Sequence, residues 1–189
     1  MMKRLILALV VGVIIIAGNN TYSAEFTADV VITKAEVCDT LKIYVNGYTY
    51  RLEKFEEGGH TVMFRKGGST YVLDHDNKQY KELWSPDEDK VNPVAAWENL
   101  SYEMRGRLVG QDTISGYDCE IFGYSYLDDD KVIFKRWFVE NLQFIIKQVL
   151  FEDDGKSEME LINIIEKPVD KTLFEVPEEY KEEEVSPDK

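Results

Sequence analysis

Few residues in this chain of 189 residues could carry out chemistry. His60 and His75 are its two histidines, and His75 lies between Asp74 and Asp76. That acidic turn could hold a metal ion, but a solvated hairpin turn explains the same residues, and we favour the turn. The sequence shows no Ser/His/Asp catalytic motif and no Cys/His site with supporting residues. It also lacks a phosphate-binding glycine loop. We therefore expect no catalytic residue, no metal site, no cofactor and no enzyme.

The charge balance limits the classes of partner. The chain carries 36 Asp and Glu against 22 Lys and Arg, a formal net charge of −14. Such a charge repels nucleic acid and anionic membrane surfaces, so it serves solubility or attracts a basic protein partner. Two acidic runs, 128–130 and 153–154, lack the spacing of a calcium loop, and we expect them to be polar turns.

Cys38 and Cys119 are the two cysteines. In an oxidising compartment an even pair of cysteines indicates one disulfide. Two buried free thiols are the alternative.

The N-terminus has the order of a secretion signal. Lys3 and Arg4 precede an uncharged apolar run from Leu5 to Gly18, and small residues follow. The run is short for a membrane span, which takes about 20 residues, although an uncleaved anchor is the alternative. We predict a signal peptide at 1–23 without lipid attachment, a periplasmic or secreted domain at 24–180, and a charged tail at 181–189.

Most of the exported part is predicted to form antiparallel strands. Leu41 to Leu52 is the clearest hairpin, because Asn46-Gly47 suits a tight turn that needs positive φ at both central residues. Further strands are predicted at 26–33, 61–83 (in two hairpins), 118–127, 131–139, 144–152 and 159–166. One helix is predicted from Val94 to Met104, since Val94, Trp97, Leu100 and Met104 form an apolar stripe.

Several predicted strands are apolar on both faces. Phe144 and Ile146 oppose Ile145 and Val149, and the segment 132–139 shows the same pattern. One helix cannot cover both faces of so many strands. Either the sheet closes into a packed barrel, or one face lines an apolar groove that binds a ligand.

Three segments of the sequence resemble the LolA/LolB-like superfamily, which handles outer-membrane lipoproteins. These segments are ADVVITKAEVCDTLKIYVNGYTYRLE, FKRWFVENLQFIIKQVLFEDDG and TLFEVPEEYK. The resemblance implies a mainly β fold, with a strongly curved antiparallel sheet (an incomplete barrel) and one main helix across its concave side. It also implies that Arg51 occupies a position where this family often has an arginine.

Together these features predict a non-catalytic periplasmic protein that binds an apolar ligand, such as a lipid, a lipoprotein acyl chain or an apolar peptide. The alternative is an envelope interaction or sensor protein that uses its acidic surface and has no small-molecule ligand. The sequence does not decide which face of the sheet is concave. The candidate ligand-binding residues are Phe64, Trp97, Met104, Phe134, Trp137, Phe138, Phe144 and Ile146.

Overall fold

The computed structural model describes residues 24–47, 49–56, 59–66, 69–83, 104–152 and 155–183. Within these ranges the chain forms twelve strands and one short 3-10 helix at Lys171–Phe174. The strands are β1 (Glu25–Lys34), β2 (Val37–Asn46), β3 (Thr49–Glu56), β4 (Gly59–Lys66), β5 (Ser69–Asp74), β6 (Gln79–Leu83), β7 (Met104–Ile114), β8 (Tyr117–Tyr126), β9 (Phe134–Val139), β10 (Phe144–Glu152), β11 (Gly155–Glu166) and β12 (Lys181–Glu182).

All twelve strands belong to one sheet that does not close into a barrel. Its order is β12-β6-β5-β4-β3-β2-β1-β11-β10-β9-β8-β7. Two antiparallel meanders, β1 to β6 and β7 to β11, meet where β1 pairs with β11. The mainly β, unclosed sheet predicted from the sequence is thereby confirmed.

The helix prediction receives no support. The described ranges contain no α-helix, and none of their elements could cross a membrane as a helix. Residues 94–103 of the predicted helix, Trp97 among them, lie outside the described ranges, as does the predicted signal peptide at 1–23. Met104 was wrongly predicted as helical, because it begins β7 opposite Tyr126. The helical spacing of apolar residues, three or four positions apart, therefore did not predict the conformation of Met104, the last residue of the pattern.

Two residues separate the closing pairs of the β2–β3 and β7–β8 hairpins. Asn46 pairs with Thr49, so the β2–β3 turn begins at Gly47, one residue later than predicted. Gly47 has φ of 59°. Ser115 and Gly116 form the β7–β8 turn with φ of 52° and 85°, which matches a hairpin turn with two left-handed residues.

Alternate residues of β1 to β3 pack into the largest apolar cluster, which we call the main cluster. It takes Phe26 and Val30 from β1, Ile43 from β2 and Leu52 from β3, and all four are nearly inaccessible to solvent. The cluster continues through β11, β10 and β9 to Cys119 on β8. One continuous core therefore connects both meanders.

The opposite face of β3 to β6 is covered by the C-terminal segment 167–183. Phe174 and Val169 of this segment pack on Val62, Phe64 and Leu73. At the end of the segment β12 pairs in parallel with β6. The first two residues of the predicted charged tail are therefore part of the sheet, and residues 184–189 lie outside the described ranges.

The sheet bends where β8 passes close to β11. The Tyr117 hydroxyl donates a hydrogen bond of 2.8 Å to Glu166 Oε1, although β9 and β10 lie between these strands in the sheet order. In a flat sheet β8 and β11 would lie three strand spacings, roughly 14 Å, apart. Their side chains would stand perpendicular to the sheet and would not reach each other. Burial and this contact raise the pKa of Tyr117 to about 12.

Candidate functional site

Three of the predicted ligand-binding residues lie in the main cluster. Trp137, Phe144 and Ile146 are buried there, and the Phe144 ring meets Phe26 edge to face at 5.1 Å. The Trp137 indole Nε1 donates to Asp112 Oδ2 at 3.1 Å. All three side chains therefore belong to the core that joins the two meanders.

Phe64 lies on the other side of the sheet from the main cluster. It is buried beneath Phe174 of the C-terminal segment and stacks on Tyr71 with ring centroids 5.0 Å apart. The chain itself therefore covers Phe64.

The remaining described candidates belong to two smaller clusters. Phe138 packs with Ile145, whereas Phe134 packs with Met104 and Tyr124. The seven candidates that the structure describes thus divide among four clusters. The prediction that both faces are buried is confirmed for β9 and for the first three residues of β10, whereas Phe151 near the end of β10 is exposed.

A buried arginine accompanies Phe134 and Tyr124. The Arg136 guanidinium lies 5.1 Å from the Phe134 ring centroid and 5.9 Å from that of Tyr124. Its Nε donates to Gln148 Oε1 at 2.7 Å. Burial lowers the pKa of Arg136 to about 10, and it raises the pKa of Tyr124 to about 12.

A depression of about 470 Å³ opens beside the β7–β8 hairpin. Its lining is mainly polar and acidic, in contrast to the apolar pocket that the sequence predicted. In the described part of the chain, no Lys or Arg forms an ion pair with any of its four carboxylates. The lining residues are Gln111, Asp112, Thr113, Asp118, Cys119, Glu120, Phe138 and Glu140.

The two histidines lie together under the end of the C-terminal segment. Their rings stack with centroids 4.2 Å apart, and Phe55 stacks on His60 at 4.1 Å. The Tyr180 hydroxyl shares a 2.5 Å hydrogen bond with His75 Nδ1. The solvated turn expected around His75 is thus partly a packed site, and no local sequence signal identified Tyr180 as its partner. Among the described residues no group of metal-ligating side chains forms a site.

Arg51, the position that the resemblance singled out, is buried with Glu53. Its Nε donates to Glu53 Oε1 at 2.6 Å, and Nη1 donates to the Leu173 carbonyl at 2.8 Å. The arginine therefore ties β3 to the C-terminal segment. Arg51 is therefore not a surface cation, because its side chain and that of Glu53 are both about nine-tenths buried.

The predicted disulfide between Cys38 and Cys119 is wrong. Both cysteines are free thiols, Cys38 exposed on β2 and Cys119 buried on β8. Four strands lie between β2 and β8 in the sheet, whereas a disulfide needs Cα atoms within about 7 Å. Counting cysteines does not locate their strands within a sheet.

Comparison with known proteins identifies relatives through structure alone. No protein-family model matches the chain, and no curated protein sequence matches it. The fold is similar to that of MucB, with TM-score 0.55 and 15% identity over 82% of this chain. The chain spans 58% of the length of that MucB chain. MucB in complex with MucA(peri) gives TM-score 0.54 at 17% identity, covering 82% of this chain and 55% of that one.

Two further solved structures resemble this chain to different degrees. An uncharacterised conserved protein from Thermus thermophilus gives TM-score 0.58 at 10% identity, covering 85% of this chain and 90% of that one. The LolA superfamily protein NE2245 from Nitrosomonas europaea gives TM-score 0.36 at 12% identity, covering 81% and 90%. At 10–17% identity the likenesses to MucB and to the Thermus protein show the fold alone, and at that level the resemblance noted in the sequence is confirmed.

Proposed function

We propose that this chain is a non-catalytic binding protein of the bacterial envelope that takes up an apolar ligand at the margin of its main cluster, where partly buried side chains such as Ile164 pack against the core. A lipid, a lipoprotein acyl chain or an apolar peptide fits the chemistry of that surface. One observation carries the proposal: a single unclosed sheet supplies a continuous apolar core from β4 to β8. The secretion-type N-terminus supports a periplasmic location.

The experiment uses two neighbouring isoleucines that face opposite ways. Ile164 packs against the main cluster, whereas Ile165 is 51% exposed. After delipidation, the protein should bind a fluorescent fatty acid. Ile164→Lys should weaken that binding roughly tenfold, a loss of about 1.4 kcal/mol, and Ile165→Lys should leave it unchanged.

Native mass spectrometry of protein taken from its own envelope should also show a co-purifying apolar molecule. Equal affinities of the two lysine variants, together with a bare protein in the mass spectrum, would exclude the main cluster as a ligand site.

An envelope interaction protein is the second candidate function. The fold is similar to MucB, whose structure is known in complex with MucA(peri), and this observation favours a protein partner. The acidic depression beside β7 suits a basic group on such a partner. Binding of a partner protein that persists in Ile164→Lys, with no fatty acid bound by the wild type, would support this function over the first.

A further inference from the structure

The two edges of the sheet differ in how they end. At one edge the chain's own β12 pairs with β6, with the Glu183 amide donating to the Tyr80 carbonyl at 2.8 Å. At the other edge lies β7, whose only hydrogen-bonded neighbour among the described strands is β8. Residues from Arg105 to Thr113 are exposed except Gly110, which is half-buried. An open strand of this length is a template for pairing with another strand.

The hydrogen-bonding groups on the open side of β7 can be assigned from the pairing register. The two-residue turn makes Ile114–Tyr117 the closing pair, so alternate residues back to Gly110 bond to β8. Gln111 and Thr113 therefore direct their N–H and C=O groups to the open side. The Thr113 N–H donates to Oδ1 of its neighbour Asp112 at 2.9 Å, as expected for a donor outside the ladder.

An extra residue at Val109 changes this alternation halfway along β7. The register with β8 shifts between Leu108 and Gly110. Beyond the bulge Arg107 is opposite Gly123, so Gly106 and Leu108 direct their polar backbone groups outward. The four outward residues are then arranged symmetrically about a point between Val109 and Gly110, with Leu108 matching Gln111 and Gly106 matching Thr113.

We propose that a second copy of this chain pairs with β7, antiparallel and about a two-fold axis between Val109 and Gly110. A two-fold axis places the same patch on both subunits, so the patch has to complement itself. In this register Leu108 of each copy exchanges backbone hydrogen bonds with Gln111 of the other, and Gly106 does so with Thr113.

The same register also pairs opposite charges of the two β7 strands. It places Arg107 of each copy opposite Asp112 of the other, on the same face of the joined sheet, because their β8 partners Gly123 and Cys119 share a face. Arg107 has no ion-pair partner among the described residues. Asp112 lines the acidic depression, so each Arg107 enters a region of uncompensated negative charge.

Charge reversal tests this register in sedimentation velocity at physiological ionic strength, where the long-range repulsion between two chains of net charge −14 is screened beyond about 8 Å. The wild type should form a dimer. Arg107→Asp and Asp112→Arg should each weaken it at least about tenfold. Mixing the two variants should restore a heterodimer, because both charge pairs are then regenerated with opposite sign.

The matched control is Arg105→Asp, which makes the same charge change two residues away. Arg105 pairs within its own chain with Asp130 at 2.6 Å and faces Ile114 of the second copy in this register. This variant should dimerise almost as well as the wild type. Equal losses in Arg105→Asp and Arg107→Asp would overturn the register.

Because Asp112→Arg also removes the Trp137 contact and can impair folding, a second variant is needed. Thr113→Pro removes an N–H from the open side without removing a β8 hydrogen bond, so the fold should persist while the dimer is lost. A monomeric wild type would overturn the proposal. So would protection from hydrogen exchange of the outward amides of Gly106, Leu108 and Gln111 in a monomer or in a complex with another protein, because something else would then cover the edge.

Discussion

His60 and His75 stack within 9° of parallel, and the Nε2 atoms of both rings are buried without a hydrogen-bond partner. The surrounding charges are mixed. Glu53 Oε2 lies 3.9 Å from His60 Nε2, while Arg51 and Asp76 act electrostatically on His75. Burial, followed by His60 and Arg51, lowers the pKa of His75 below its ordinary 6.5. The protonated, positively charged form of His75 is therefore disfavoured in the folded protein.

We expect the free energy of unfolding to fall as the pH drops below about 6.5. The unfolded state binds a proton near that pH, and the folded state does not until a lower pH. The unfolded chain therefore holds more protons between the two pKa values, and stability rises with pH in that window. Urea unfolding at roughly one unit above and one unit below 6.5 measures the effect, and His75→Gln should show a smaller pH difference than the wild type.

Tyr180→Phe is the control for the histidine variant. It removes the hydrogen bond to His75 Nδ1 and leaves the imidazole in place. Its stability should fall at both pH values, with the pH difference kept. The same pH difference in His75→Gln and in the wild type would show that other groups cause the titration.

Arg51 and Glu53 form a buried pair whose two halves depend on each other. Removing only the cation, in Arg51→Ala, leaves the Glu53 carboxylate buried opposite an empty position and should cost roughly 3–5 kcal/mol. The double variant Arg51→Leu/Glu53→Leu should recover much of that loss, because no buried charge remains. Chemical denaturation of both variants gives the comparison. A double variant that is less stable than Arg51→Ala would mean that the pair itself supplies the stability.

The strands themselves were predictable from local pattern. Alternating β-branched and aromatic residues located β1, β2, β3 and β8 to within a few residues. The Asn46-Gly47 signal identified the correct hairpin one residue early. Strand alternation and turn residues depend only on residues that are close together in the sequence. The strand β7 was not predicted, because Arg105 to Thr113 has few apolar residues and both of its faces are largely exposed.

The site was less predictable, because its contacts join residues far apart in sequence. Phe64 has the same apolar character as Phe144, yet Phe174, 110 positions further along, covers it. Bulges at Ile145/Lys147 and Leu108/Gly110 also change which face a side chain occupies. Period-two reasoning assumes an uninterrupted strand, so it grouped side chains that the fold separates.

The glycines of β7 provide a test of packing at the sheet edge. A Cβ on Gly106 would lie 2.4 Å from Tyr124 Cε1, whereas one on Gly110 would meet Ile121 Cδ1 at 3.7 Å, an ordinary contact. Tyr124 stacks on Phe134 at 4.4 Å and cannot move without disturbing that pair. Gly106→Ala should therefore cost about 1–3 kcal/mol in thermal or urea unfolding.

Gly110→Ala is the matched control in the same strand, and its effect should stay within about 0.5 kcal/mol. If the two alanine variants are equally stable, the Tyr124 ring moves aside freely and the packing of this cluster is loose.

The two cysteines should behave differently toward a thiol reagent. Cys38 is exposed, whereas Cys119 is 3% exposed, and burial raises the pKa of its thiol. Since the thiolate is the reactive form, a maleimide at neutral pH should label Cys38 rapidly and Cys119 only after unfolding. Mass spectrometry without a reductant counts the labels, and Cys38→Ser assigns them. Unfolded protein that takes up no label without a reductant would show that a disulfide joins the two residues, and strands β2 and β8 would then have to lie far closer together than they do in this sheet.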